Sequence, residues 1–237
     1  MICEVMNGYK FVNKGNLILT TDLIRNITAK LLFIQKINSV MFKTIKEWDT
    51  EFFLYLNSKH NNFFDVVMYW ASDKLFWIPF YLVLFIIIIR YFKKGSILIL
   101  IHIAALIAAS DQIASNLIKN NVKRLRPSHE AALQGLIHLS KAGAGGEYGF
   151  ISSHASNAFA LSVFLSFILP INFRPLKYIL FFWALLVSYS RIYNGVHYPS
   201  DVLVGIVCGS LLGWIFSRLY FLTLSKIATR QKVSGKQ

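Results

Sequence analysis

Long apolar runs alternate with short polar connections between about residue 75 and residue 224. A helix that spans a membrane needs about 20 mostly apolar residues. Five segments approach that length, namely residues 75–92, 96–118, 153–169, 176–189 and 200–224. The pattern therefore predicts an all-α fold, a polytopic membrane helix bundle of about five spanning helices.

The segment ahead of the first predicted span is amphipathic. Within residues 42–70, aromatic residues such as Trp48 and Phe52 alternate with charged residues such as Asp49. This pattern is typical of a helix that lies in the membrane interface, and a short, partly inserted helix packed on the bundle fits it equally well. We predict an interfacial amphipathic helix before the five spans.

Residues 1–40 fit poorly with the rest of the chain. They have no clean periodicity, and a second methionine, Met41, follows them. We therefore predict a poorly structured N-terminal extension over residues 1–40, with Met41 as an alternative start. The membrane domain then covers residues 41–225, and residues 226–237 form a basic cytoplasmic tail.

Composition favours a membrane protein and argues against nucleic acid as a partner. The chain is 55% hydrophobic and only 15% charged, against about 25% charged in soluble proteins. The formal net charge is +14, but many cations lie in the tail and in the connections after the first and third spans, where there is no acid. With five spans these segments share one side, which the positive-inside rule makes cytoplasmic. We expect an integral protein of a bacterial inner membrane with a cytoplasmic C-terminus.

The opposite side of the predicted bundle carries cations that this rule does not explain. They are Lys119, Lys123, Arg124, Arg126, Lys141 and Arg191. Because cations on the translocated side need another reason, we expect an anionic ligand at the periplasmic or exterior face.

Three clusters at the ends of different predicted spans carry the candidate chemistry. Their residues are Lys119 and Arg126, then Ser152, Ser153 and His154, and finally Arg191, His197 and Asp201. The alternation of the spans brings all three clusters to the same membrane face, where a bundle can gather them around one pocket.

These residue types suit the hydrolysis of a phosphate ester. Arginine meets phosphate with a planar fork and lysine with a point charge, and the N-terminus of a helix starting near Ser152 adds free N–H groups. Two imidazoles, His154 and His197, can divide the roles of nucleophile and leaving-group acid. Asp201 lies four residues after His197, so both can share a helix face, where the carboxylate can orient the imidazole.

The three clusters resemble the signature of the type 2 phosphatidic acid phosphatase superfamily, which reads K-x6-R-P, P-S-G-H and S-R-x5-H-x3-D. The chain matches the first and third motifs at every specified position. In the second motif, Ile151 stands in place of proline and Ser153 in place of glycine. The resemblance covers roughly residues 60–225.

The resemblance implies a role for each matched residue. It makes His197 the nucleophile that forms a phosphohistidine, Asp201 its orienting partner, and His154 the general acid and then the base. The phosphate-binding residues implied are Lys119, Arg126, Ser152 and Arg191, and we expect Ser153, in place of the motif's glycine, to contribute its backbone N–H. No metal and no cofactor are expected, because the cations supply the electrostatic stabilisation.

The expected enzyme is a metal-independent lipid phosphate phosphatase, and undecaprenyl diphosphate is the first choice of substrate. Lipid A is the runner-up, and phosphatidylglycerophosphate and phosphatidic acid remain candidates. The same residues would serve a phosphotransferase with an alcohol acceptor. A non-enzymatic lipid-binding protein is the alternative of a different class. The sequence does not indicate the oligomeric state.

One acid lies inside a predicted span. Asp111 falls near the end of the second span, and such intramembrane acids are often functional. Because the matched motifs already supply a complete catalytic set, we interpret Asp111 as a capping or interhelical hydrogen-bond residue near the outer interface.

Overall fold

The protein is built from helices, and the computed structural model describes residues 14–234. The helices are α1 (Lys14–Asn57), α2 (Asn62–Ser72), α3 (Ile78–Phe92), α4 (Ser96–Asp111), α5 (Lys119–Val122), α6 (Ser153–Ile168), α7 (Arg174–Tyr193) and α8 (Pro199–Ser234). A π-helical segment, Gln112–Ile118, joins α4 to α5. Within the described residues the β-structure is limited to one isolated bridge between Leu125 and Tyr148. The predicted all-α class is confirmed.

Among the described residues, three helical stretches are long and apolar enough to cross a membrane. They are Ile78–Val122, Ile171–Tyr193 and Pro199–Arg230, and α6 is a shorter apolar helix. The first stretch has 45 residues, or about 67 Å of helix, more than twice the bilayer core.

This long stretch contains two passes. It is interrupted at Lys93, whose φ of +50° ends α3, and Leu84 of α3 and Leu106 of α4 then share one hydrophobic core. Each of the five predicted spans therefore coincides with a helix.

The N-terminal part of the chain differs from its prediction. The chain divides into two compact units, Met1–Trp48 and Asp49–Gln237. Helix α1 already begins at Lys14, so the described part of residues 1–40 is helical and the expectation of a poorly structured extension does not fit it. Residues 1–13 lie outside the described range, and Met41 as a start stays a prediction.

The predicted amphipathic helix over residues 42–70 is in fact two helices. Helix α1 ends at Asn57, and α2 starts at Asn62 after a short break. Asn61 caps α2, because its side-chain oxygen accepts a hydrogen bond from the backbone N–H of Phe64 at 2.9 Å. At the other end of the chain, α8 continues as a helix to Ser234, ten residues beyond the predicted end of the last span.

Helices α6 and α8 lie in backbone contact along a row of small residues. Gly205, Gly209 and Gly213 recur at four-residue spacing on α8 and face the backbone of α6. A Cβ atom at Gly209 would lie 2.1 Å from the carbonyl oxygen of Ser156, so only glycine fits there. Small residues at this spacing let membrane helices approach closely. The start of α6 is thereby held against the start of α8.

Candidate active site

The structure brings the predicted site residues together at one end of the bundle. Lys119 begins α5, Ser153 and His154 begin α6, and Arg191 lies in the last turn of α7. The charge of Lys119 interacts with those of Arg126, Arg191 and Asp201, and His154 interacts with Arg191 and His197. The convergence expected from the three clusters is therefore present in the fold.

His197 and Asp201 form a buried pair. Their side chains are 1% and 0% exposed, and His197 Nδ1 lies 3.5 Å from Asp201 Oδ2. At that separation Nδ1 has no hydrogen-bond partner among the described residues. Asp201 Oδ2 instead accepts a hydrogen bond from the backbone N–H of Tyr198 at 3.0 Å. The carboxylate is thus anchored, and the imidazole lies beside it with its Nε2 edge turned away from the carboxylate contact.

The environment of His197 favours the neutral imidazole. Burial lowers the pKa of His197 well below its usual value, and the charges of Arg191, Arg126 and Lys119 lower it further, while a backbone hydrogen bond with Gly149 opposes them. A neutral imidazole keeps a free lone pair, so at neutral pH His197 is in the protonation state that a nucleophile needs.

We refer to the predicted phosphate-binding residues as the phosphate cradle. They are Lys119, Arg126, Ser152, Ser153 and Arg191. Arg191 is buried and donates through Nη1 to Ser72 Oγ, and its Nε has no partner within the described part of the chain. Arg126 donates through Nε to the carbonyl of Tyr148 at 3.1 Å. Burial lowers the pKa of Arg126 and nearby Asp201 raises it. An anion would satisfy the guanidinium donors that remain open.

Ser152 and Ser153 occupy the N-terminus of α6. Ser152 is the N-cap, and its Oγ accepts a hydrogen bond from the N–H of Ala155 at 3.4 Å. The backbone N–H of Ser152 donates to the carbonyl of Asp201 at 3.0 Å, which ties the second motif to the third. Ser153 is the first helical residue, so its N–H belongs to the turn that has no intrahelical acceptor.

Arg124 and Asp49, which lie outside the matched motif positions, form an ion-pair network on the Oδ1 side of Asp201. Arg124 donates to Asp201 Oδ1 at 2.9 Å and to Asp49 Oδ2 at 2.6 Å. Asp49 in turn accepts from the N–H of Ser200 at 2.9 Å, and the Arg124 guanidinium stacks on the Tyr198 ring at 4.0 Å. Burial raises the pKa of Tyr198 to about 12. The resulting chain of groups runs from Asp49 through Arg124 and Asp201 to His197.

This network could hardly be predicted from the sequence. Arg124 falls within the unspecified positions of K-x6-R-P and was recognised only as one of several outer cations. Asp49 lies 75 residues before it along the chain, within the amphipathic segment, where an acid is unremarkable. The excess of cations on the outer side is the one sequence feature that bears on this network.

A separate cluster has side chains suited to metal binding. Ligand atoms of His60, Asp65 and His138 lie within 4.8 Å of one another. Hydrogen bonds already use Asp65 Oδ1, which accepts from Tyr193 at 2.7 Å and pairs with His138 Nε2 at 2.8 Å. Burial raises the pKa of Asp65, but these bonds and the nearby imidazoles outweigh burial and lower it. Through these bonds Asp65 of α2 contacts both the loop that carries His138 and Tyr193 of α7.

Comparison with known proteins agrees with the geometry. Residues 96–224 match the family profile described as PAP2 superfamily. The chain is 32% identical over 198 residues to the lipid A 4′-phosphatase of Bacteroides thetaiotaomicron, covering 83% of this chain and 87% of that protein. It is 31% identical over 185 residues to the lipid A 4′-phosphatase of Porphyromonas gingivalis, covering 77% of each.

A solved structure has the same fold. The PAP2 type phosphatidylglycerolphosphate phosphatase of Bacillus subtilis superposes with a TM-score of 0.57 at 20% identity, over 74% of this chain and 86% of that one. The family profile, the relatives and the solved structure all agree with the predicted spanning helices and with the three motifs that meet at one end of the bundle. The chain therefore belongs to the PAP2 superfamily and is an integral membrane enzyme that hydrolyses phosphate esters of lipids.

Proposed function

We propose that the protein removes a phosphate from lipid A, at the 4′ position of the sugar backbone. Two relatives that match over three quarters or more of the chain are named for this activity. These relatives support lipid A as the substrate better than undecaprenyl diphosphate, the first choice from the sequence. The observation that carries the catalytic part of the proposal is the buried, neutral His197 among Arg191, Arg126 and Lys119.

The first step forms a phosphohistidine. His197 attacks phosphorus through Nε2, because Nδ1 faces Asp201. A bond forms between nitrogen and phosphorus as the bond from phosphorus to the sugar oxygen breaks. The bound phosphate anion favours the protonated form of the neighbouring His154 imidazole, which gives its proton to the departing sugar oxygen. The phosphate cradle stabilises the negative charge that spreads over the phosphoryl oxygens in the transition state.

The second step regenerates the enzyme. His154, now neutral, accepts a proton from a water molecule that attacks phosphorus on the side opposite His197. The bond between phosphorus and Nε2 breaks, and inorganic phosphate leaves. Asp201 keeps the His197 imidazole in one orientation through both steps. This cycle needs no metal ion or cofactor.

We further propose that the site opens at the periplasmic or exterior face of a bacterial inner membrane. The cations in the connections after α3 and α6 and in the C-terminal part of α8 support this orientation, because they all lie on the side opposite the phosphate cradle. Lipid A would then meet the site after its transfer to the outer leaflet.

Purified protein in detergent tests the assignment. Incubation with bisphosphorylated lipid A is expected to release one equivalent of phosphate, and fragmentation mass spectrometry is expected to place the loss at the 4′ position. A chelator should not lower the rate. His197→Ala should abolish release, since no other described imidazole lies at that position. Release from undecaprenyl diphosphate alone would overturn the substrate assignment, and full activity of His197→Ala would overturn the mechanism.

A further inference from the structure

An apolar cavity of about 760 Å³ lies between α3, α4, α6 and α7. Aromatic and aliphatic side chains such as Trp77, Leu84 and Leu165 line its length, and His154 lies at its polar end. The volume and lining suit lipid chains, so a lipid whose chains occupy the cavity would place its head group beside His154.

Two polar groups at this end of the cavity have no role in the catalytic cycle. Asn157 follows His154 by one helical turn on α6, and both line the cavity. The Asn157 side-chain oxygen is buried and accepts no hydrogen bond from the described residues. Asp111 lines the cavity from the end of α4, and its recorded hydrogen bond, from Ser115 Oγ, is long at 3.4 Å.

The Asp111 carboxylate and the Asn157 side-chain oxygen cannot bind the phosphate directly. A carboxylate accepts hydrogen bonds and carries the same sign of charge as phosphate, so Asp111 repels the reacting group. The Asn157 oxygen is likewise an acceptor. A buried acceptor without a donor, such as the Asn157 oxygen, is destabilising, and Asp111 has only a long hydrogen bond from Ser115. The two oxygens are therefore matched to a ligand that brings hydroxyl or amide N–H groups into the cavity next to the phosphate.

We propose that Asp111 and Asn157 form a head-group subsite that accepts hydrogen bonds from the hydroxyl or amide N–H groups of a phosphorylated, N-acylated amino sugar, while the acyl chains occupy the cavity. The proposal rests on the proposed function and deepens it. It also revises the interpretation of Asp111 as a simple capping residue. Lys74, which lines the same end of the cavity, adds a cation beside the head group.

The subsite would discriminate between the two leading substrate classes. Undecaprenyl diphosphate carries a second phosphate and then hydrocarbon beyond the phosphate that is removed, so Asn157 and Asp111 would gain no hydrogen-bond donor when it is bound. A lost hydrogen bond to a buried acceptor corresponds to about a 5- to 150-fold loss in affinity or rate. We expect preference for the amino-sugar lipid by a factor in this range.

The test measures the ratio of kcat/KM for bisphosphorylated lipid A to kcat/KM for undecaprenyl diphosphate. Asn157→Leu should lower the ratio about tenfold, and Asn157→Asp, which keeps an acceptor, should retain most of it. Asp111→Leu should act in the same direction as Asn157→Leu. Asn116→Leu makes the matched chemical change at an exposed position of the π-helical segment and should leave the ratio as in the unchanged protein.

Each outcome has a distinct meaning. If the unchanged protein cleaves lipid A but Asn157→Leu and Asp111→Leu lower both kcat/KM values equally, the subsite is refuted and the proposed function stands. If the unchanged protein releases nothing from lipid A, the proposed function fails. Should Asn157→Leu not fold, Asn157→Ala and Asp111→Leu are measured instead, because both remove the acceptor. The subsite is refuted if neither variant lowers the ratio relative to Asn116→Leu.

Discussion

Substitution of Arg124 should show whether this side chain orients the Asp201 carboxylate or contributes to substrate binding. Its guanidinium bridges Asp49 and Asp201, and these three side chains are 20%, 9% and 0% exposed. Arg124→Met keeps much of the side-chain volume but leaves two carboxylates facing each other without a cation. Removal of one partner from a buried ion pair costs about 3–5 kcal/mol.

The expected loss of stability is near the lower end of this range, about 3 kcal/mol, because Arg124 retains some solvent contact. For a chain of this size, 3 kcal/mol corresponds to a fall in Tm of about 6–12 °C. Catalysis should fall about 100-fold, since a small displacement of Asp201 moves the His197 imidazole from its line of attack. The Arg124 side chain contacts Asp49, Asp201, Ser200 and Tyr198 rather than the phosphate cradle, so the loss should be in kcat with KM little changed.

Thermal unfolding in detergent and steady-state kinetics on lipid A measure these two effects. Asp49→Asn in the Arg124→Met background should recover part of the lost stability, because it removes one of the two orphaned charges. Arg218→Met, on the exposed part of α8, is the control for loss of an arginine as such. A Tm and kcat for Arg124→Met equal to those of this control would refute the orienting role.

Two further predictions concern pH and helix packing. The pKa of His197 is lowered, so kcat/KM should stay high as the pH falls below 6.5 and should decrease only in more acidic solution. A decrease in kcat/KM centred at or above pH 6.5 would contradict the proposal that His197 is a neutral, buried nucleophile. For the same reason the unfolded chain binds more protons than the folded one as the pH drops below 6.5, and Tm should decrease in that direction. Gly209→Ala should reduce the yield of folded protein after detergent extraction and lower Tm, because its Cβ would lie 2.1 Å from the Ser156 carbonyl oxygen. Gly95→Ala, whose nearest contact would be 4.0 Å away, is the matched control, and equal Tm values for the two variants would rule out the close-contact explanation.

The spans and the gathering of the motifs could be predicted from the sequence because both depend on local signals. A run of about 20 apolar residues directly predicts a segment that spans the bilayer. Once the spans alternate in direction, Arg126, His154 and His197 must lie at the same end. Local spacing also placed Asp201 beside His197, although the 3.5 Å separation lies outside what spacing can specify.

The parts that escaped prediction depend on contacts between distant segments. Arg124 and Asp49 have no spacing relation, so their ion pair could not be seen before the fold. The break between α1 and α2 follows from the cap at Asn61, a single residue within an otherwise continuous amphipathic pattern. Asp111 was judged from the completeness of the catalytic set, and the cavity in which it lies became visible only from the packing of four helices.

The contact between α6 and α8 has a consequence for how such an enzyme can change its substrate. His154 and the segment that carries His197 and Asp201 are attached to two backbones that touch with no side chains between them. Residues on the outer helices α3 and α4 can therefore be replaced, and the cavity reshaped for other lipids, while the distance between the two imidazoles stays the same. The shape of the cavity on its α3 and α4 side can thus change independently of the distance between the imidazoles, whereas the head-group acceptor Asn157 shares α6 with His154.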